Sequence, residues 1–290
     1  MPLIGSHATV TGGLATGGLG YAAEVGAEVI QVFVSSPRGW AAAQGDAAED
    51  ARLRESGMPV FVHATYLVNL GSGNPEVAGK SAEAIAYALR RGAEIGARGV
   101  VVHAGSAVGW TGEQAREQAL RQIGELTLPL LEKLGEDDPD LLFEPMAGQG
   151  QMLCARTGDV ATYLAAVQHH PRAGLCLDTC HLFAAGHDLT APGGVAAMLD
   201  ELATAAGLTT GTAAGTAGRT RPPVGLVHAN DSLLGCGSKR DRHEAIGAGQ
   251  IGTGPFRELL AALPDVPFVV ETPGGKTGHA RDIATLKGLR

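Results

Sequence analysis

The feature that most constrains this chain is a repeat. Eight short apolar runs, at residues 3–4, 29–33, 60–62, 100–102, 141–143, 174–177, 225–227 and 268–270, alternate with segments whose apolar residues recur at helical spacing, such as 81–95, 112–134 and 158–167. Strand then helix, repeated, builds a parallel sheet, because a parallel neighbour is reached only through a long crossover connection. Eight such units in 290 residues, with no interdomain linker, predict a single (β/α)8 TIM barrel, one catalytic domain over residues 1–290, rather than an open doubly wound sheet. The segment 203–223 is rich in Ala, Gly and Thr, closes on Pro222 and Pro223, and reads as a flexible insertion before the seventh strand.

Composition narrows the class. With 44% hydrophobic and 18% charged residues the chain has a large core, which excludes a mainly disordered protein. No apolar run approaches the roughly 20 residues that cross a bilayer, and the N-terminus lacks a basic region followed by an apolar stretch, so the expectation is a cytoplasmic protein with no membrane partner. A formal charge of −8 excludes a surface coated in basic residues to grip nucleic acid, while leaving room for a local basic patch. Cys154, Cys176, Cys180 and Cys236 show neither C-x-x-C pairs nor the density of a disulfide scaffold and read as reduced thiols.

From the third run onward each apolar run ends in a residue able to bind a metal: FVHA at His63, VVHAG at His103, LLFEP at Glu144, CLDTCH at Asp178, LVHAND at His228 and FVVET at Glu271. In a barrel these strand ends share one rim, where catalytic groups from different strands meet. His181, Asp241 and His243 lie just beyond strand ends and complete a set of five histidines and four carboxylates. Imidazole with carboxylate suits Zn2+ or Mn2+, and nine ligands exceed the needs of one tetrahedral ion, so the set predicts a multinuclear cluster that attracts an anion such as a phosphodiester. One histidine after an apolar run is ordinarily structural. Six strand ends carrying His, Asp or Glu are harder to explain by packing, because buried carboxylates without partners are costly.

Other polar residues receive plainer readings. His7 follows the first run and is placed to orient a ligand rather than to be one; His187 and His279 follow no apolar run and read as surface histidines; Cys180 reads as a packed thiol. Gly18-Leu19-Gly20 and Gly79-Lys80-Ser81 evoke nucleotide loops, yet neither sits directly after a strand with the rest of its motif in place.

The segments IGSHATVTGGL, HATYLVNLGS, VVHAGS, CLDTCHLFAAGHDL, HANDS, DRHEAIGAGQIG and VVETPGG together resemble the endonuclease IV family (apurinic/apyrimidinic endonuclease, deoxyribonuclease IV, AP endonuclease family 2) over nearly the whole chain. That resemblance implies a zinc-dependent DNA-repair hydrolase with three Zn2+ per chain, Mn2+ being an alternative at one site. Its substrate would be double-stranded DNA containing abasic sites or blocked 3′ ends. It would cut 5′ to the abasic site, leaving 3′-OH and 5′-deoxyribose phosphate, trim 3′ ends, and act as a monomer. By the same resemblance His63 and His103 would hold one zinc, with the catalytic Glu144 bridging to a second held by Asp178, His228 and Glu271. His181, Asp241 and His243 would hold the third, and Arg38, Tyr66 and Leu67 would enter the DNA at the lesion.

The chain departs from the family pattern at Pro145, where Asn usually follows the bridging glutamate, and in the longer segment at 203–223. The alternative reading is a single-metal sugar isomerase or epimerase on the same barrel, using Glu144, Asp178, His228 and Glu271. The surplus of His63, His103, His181, Asp241 and His243 has little use there.

Overall fold

All eight runs become strands of one closed sheet. The structure, a computed structural model, describes residues 1–207 and 224–290. Strands β1 (Ile4–His7), β2 (Ile30–Phe33), β3 (Val60–His63), β4 (Gly99–His103), β5 (Asp140–Glu144), β6 (Ala173–Asp178), β7 (Val224–His228) and β10 (Phe268–Val270) pair in parallel around a barrel in chain order. Helices α1 (Leu14–Val25), α2 (Ala47–Glu55), α3 (Pro75–Ile95), α4 (Ala115–Leu131), α5 (Thr157–Ala166), α6 (Thr179–Ala185), α7 (Gly194–Ala205) and α8 (Thr253–Ala262) occupy the crossovers, and α9 (Gly275–Leu289) follows the last strand.

Local chemistry explains the boundaries. The helical pattern read from residue 81 begins six residues earlier, because Asn74 caps α3 by accepting from the backbone N–H of Glu76 at 2.9 Å and Pro75 opens the first turn. Gly96, at φ 70°, closes it in the left-handed conformation. Ala78, Ser81, Ile85, Ala88, Leu89, Gly92 and Ile95 form its buried stripe, the i, i+3, i+4 spacing of a helix packed on a sheet. Strand β1 runs three residues past the apolar pair, since Ser6 aligns with both Val270 and Ile30 in the ladder.

Two packing layers result. Residues facing outward, such as Ile30, Val32, Val100 and Val102, pack under the helices, while Val29, Phe61, Val101, Leu142, Cys176, Leu226 and Val269 fill the barrel interior. Leu142 sits at the centre of that plug: a Cβ on Gly99 or Gly225 would approach its side chain to 2.9 or 2.8 Å, so both strands leave it room with glycine. The apolar plug closes the barrel below the polar strand ends.

Beyond the barrel, β8 (Asp231–Ser232) and β9 (His243–Glu244) form an antiparallel hairpin over the rim that the sequence pattern did not announce. Of the expected insertion, Ala203 to Ala205 complete α7, and residues 208–223 lie outside the described residues. The two discounted glycine motifs fall inside α1 and α3. Among the described residues no helix is long and apolar enough to cross a membrane. His187 and His279 are corrections: both are buried, His187 accepting from the backbone N–H of Thr157 at 3.1 Å and His279 bonded to Tyr21 Oη at 2.9 Å. Their partners are distant in sequence, which is why no local pattern marked them.

Candidate metal centre

Parallel register sets the strand-end residues side by side: His63 pairs with Phe33, Glu144 with His103, and His228 with Asp178. Glu271 follows the last residue of β10. Asp178 also caps α6, its Oδ1 accepting from the His181 N–H at 2.9 Å, and the first turn of that helix carries His181 to the same rim. The hairpin brings Asp241 and His243 over from the far side.

The nine residues expected to act together do converge. His63, His103 and Glu144 form one group whose ligand atoms lie within 4.8 Å of one another; Asp178, His228 and Glu271 form a second, and Asp178, His181 and His243 a third. Asp241 joins the third, with its carboxylate 3.3 Å from His181 Nε2 and 3.1 Å from His243 Nε2. Glu144 lies between groups: Oε2 is 3.5 Å from His63 Nε2 and 3.7 Å from His103 Nε2, while Oε1 is 3.2 Å from His228 Nδ1. All but His103, Asp241, His243 and Glu271 are buried.

Hydrogen bonds choose the nitrogen that each ring offers. A carbonyl oxygen only accepts, so His63 Nδ1 donates to Ala64 O at 2.7 Å, His181 Nδ1 to Pro145 O at 3.0 Å and His243 Nδ1 to Glu271 O at 3.2 Å, which leaves each Nε2 free to face the centre. Pro145 thus retains one function that needs no side-chain amide, since its carbonyl holds His181. Glu144 Oε2, His181 Nε2 and His243 Nε2 are buried without a hydrogen bond. Orphaned atoms within one cluster of carboxylates and imidazoles fit divalent cations of the zinc type.

Electrostatics agree. Burial pushes the Glu144 carboxyl up, but His228, His181 and His63 outweigh it and hold it well below the usual carboxylate range. For His243 burial works downward, yet Asp178 and Asp241 drive the imidazole up to about 12. His103, in contrast, is lowered to about 4 by burial, Glu144 offsetting only part of that, and is a neutral ring ready to donate a lone pair. Asp178, Glu144 and their carboxylate neighbours thus favour positive charge at His181, His228 and His243, the place that a bound cation would take.

Tyr66 and Leu67 stand exposed at the mouth, and Arg38 is exposed on the loop after β2. Tyr66 stacks on His103 with ring centroids 5.6 Å apart, and its phenol is pushed up to about 12 by burial and by Glu271 and Glu144. The Tyr66 N–H and the Thr65 hydroxyl donate to Pro37 O at 3.0 and 2.9 Å, so the two loops are tied together.

Three polar residues escaped the sequence reading. Gln31 is fully buried within β2, Asn230 Nδ2 donates to Asp178 Oδ2 at 2.8 Å, and the buried Asp231 carboxylate accepts from the N–H groups of Ser232, Gly247, Gly249, Ile251 and Gly252. The available signal was polarity out of place: Gln31 is the one polar residue in VIQVF. His7 stands beside Glu271, its Nδ1 3.3 Å from Oε1.

The family model described as xylose isomerase-like TIM barrel matches residues 19–289. A Streptomyces coelicolor protein named "Probable endonuclease 4" is 50% identical over 294 residues, covering 99% of this chain and 95% of that protein. A Chloroflexus aurantiacus protein of the same name is 33% identical, covering 100% of this chain and 98% of its own. The crystal structure of endonuclease IV from Thermus thermophilus superposes with a TM-score of 0.79 at 32% identity, over 99% of this chain and 98% of that one. The chain belongs to the endonuclease IV family.

As a member of the endonuclease IV family it is a nuclease, a hydrolase. A D-tagatose 3-epimerase-like protein also superposes, with a TM-score of 0.72, but at 16% identity this likeness shows a common barrel and nothing of the chemistry. Barrel shape therefore does not separate the nuclease from the sugar-epimerase alternative. Sequence identity across the whole chain does.

Proposed function

We propose that this protein is a zinc-dependent DNA-repair endonuclease that hydrolyses the phosphodiester bond 5′ to an abasic site, leaving 3′-OH and 5′-deoxyribose phosphate, and trims blocked 3′ ends. The observation that carries the proposal is the convergence of five imidazoles and four carboxylates on one rim, with buried ligand atoms lacking any hydrogen bond. His63 and His103 with Glu144 would hold one Zn2+, Glu144 with Asp178, His228 and Glu271 a second, and His181, Asp241 and His243 the third. Bound zinc supplies a nucleophile from water at neutral pH and neutralises charge on the phosphate.

The chain's own groups do the rest. Glu144 stays ionised, its one charge shared by two oxygens that face different ligand groups, and its neighbours hold that state. Tyr66 and Leu67, exposed beside the mouth, and Arg38, exposed on the tied neighbouring loop, enter the DNA at the lesion and fill the gap where a nucleotide is turned out of the stack. We read residues 1–290 as one catalytic domain acting as a monomer.

The test is incubation of the purified protein with a duplex carrying one abasic site, with and without chelator, beside a count of metal per chain. Incision 5′ to the site, lost on chelation, with about three zinc ions per chain is the expected result. A single ion and no incision would favour the isomerase class instead.

A further inference from the structure

We propose that Gln31 is a positioning residue of this centre: its carboxamide selects the nitrogen that His228 presents and holds Glu271 beside it. The inference rests on the zinc reading above and concerns a residue that ligates nothing. Alternation along β2 puts Gln31 inside the barrel, on the face opposite Ile30 and Val32, just above the apolar plug. There Gln31 Oε1 is 2.9 Å from His228 Nε2, and Gln31 Nε2 is 2.7 Å from Glu271 Oε1 and 3.0 Å from His7 Nδ1.

Glu271 decides which way the amide points. The reversed orientation would set the amide oxygen 2.7 Å from a carboxylate oxygen, two acceptors in contact with no proton between them. With the oxygen facing His228, Nε2 of that ring must carry a proton, and the nitrogen left for a cation is Nδ1. That nitrogen is 3.2 Å from Glu144 Oε1, 3.3 Å from Glu271 Oε2 and 4.0 Å from Asp178 Oδ2, in the middle of the second ligand group.

His228 is therefore the reverse of its neighbours. His63, His181 and His243 are pinned through Nδ1 by backbone carbonyls, which no side-chain substitution removes. Behind His228 stand side chains alone, Gln31 at Nε2 and the Cys176 thiol beside the ring, and of these Gln31 also holds Glu271. One residue on β2 thus sets two members of a single group carried by β7 and the end of β10.

The experiment compares wild type, Gln31→Met and Gln31→Asn. Methionine keeps the length and volume of glutamine without its hydrogen bonds; asparagine keeps the amide but is one methylene too short to reach both partners. Zinc retention is measured against a graded competing chelator, with kcat and KM on the abasic duplex. Gln31→Met is expected to bind its weakest zinc about 10- to 100-fold less tightly than wild type does, with Gln31→Asn between the two. In Gln31→Met kcat should fall while KM for DNA stays within about twofold, and added zinc should restore incision.

A purely structural role would lower the melting temperature without zinc rescue, and that result overturns the proposal. If Gln31→Met does not fold, wild-type zinc retention in Gln31→Asn overturns it equally. A wild-type protein that holds no zinc overturns the zinc reading and this inference with it. Wild-type zinc binding with unchanged affinity in the variants overturns this inference alone.

Discussion

The two ends of the barrel treat carboxylates in opposite ways. At the N-terminal end Glu28 and Asp140 each have a cation: Glu28 meets Arg290 at 2.6 and 2.9 Å and Lys287 at 3.2 Å, and Asp140 meets Arg172 at 2.6 Å. At the C-terminal end Glu144, Asp178, Asp241 and Glu271 face imidazoles, and no arginine or lysine pairs with them among the described residues. The first arrangement is complete as it stands. The second gathers negative charge and lone pairs around atoms that have no hydrogen bond, which is an arrangement organised for cations. The contrast separates a stability face from a chemical face, as barrel enzymes do generally.

The sharpest way to break that contrast is Glu144→Gln. The amide fills the same space but neutralises the group shared by two ligand sets, so incision of an abasic duplex should fall by at least about 10³-fold with the circular dichroism spectrum unchanged. Near-wild-type incision would mean that the rim is not the reaction centre.

Next in size is Asp231→Ala, which asks whether the hairpin half of the rim depends on one carboxylate. Removing the acceptor of five backbone N–H groups should cost about 2–4 kcal/mol and release the zinc proposed for His181, Asp241 and His243, leaving the ions proposed at the strand ends. Thermal melting and zinc per chain report both effects; full metal content would show that the hairpin holds its shape without this clamp.

Tyr66→Ala probes the mouth rather than the ligands. Discrimination between abasic and intact duplex should weaken about tenfold, the scale of one stacking contact, with zinc content unchanged. Unaltered discrimination would remove Tyr66 from the DNA-facing surface.

The smallest effect belongs to the opposite face. Arg290, then the Ile4 N–H and Lys287, hold the Glu28 carboxyl down to about 2 from an ordinary 4.5, against the upward push of burial. A carboxyl depressed in the folded state stabilises above its unfolded pKa, so this contribution is present at neutral pH and disappears as pH falls from about 4.5 to about 2. Glu28→Gln should therefore lower stability at pH 7 by about 1 kcal/mol, after solvent screening, and the difference from wild type should vanish near pH 2, with incision at pH 7 untouched. Urea titrations at the two pH values measure it.

The barrel and the candidate ligands at its rim were legible because their signals are local. An apolar run of β-branched residues, a crossover of helical spacing and a polar residue at the strand's end are each visible within a few positions, and their repetition supplied the topology. The same locality explains the errors. His187 and His279 looked exposed because Thr157 and Tyr21, which bury and bond them, lie 30 and 258 residues away. The extra hairpin was invisible because each of its strands is two residues long.

Chain order alone thus dictated which side chains stand at the rim, since periodicity and termination are properties of neighbours along the polymer. Only three-dimensional packing chose how each would be used: which imidazole nitrogen faces inward, which glutamate oxygen serves which group, and that Gln31 stands behind His228. Those choices follow from hydrogen bonds between strands far apart in sequence, whose donors and acceptors acquire direction only when the sheet closes.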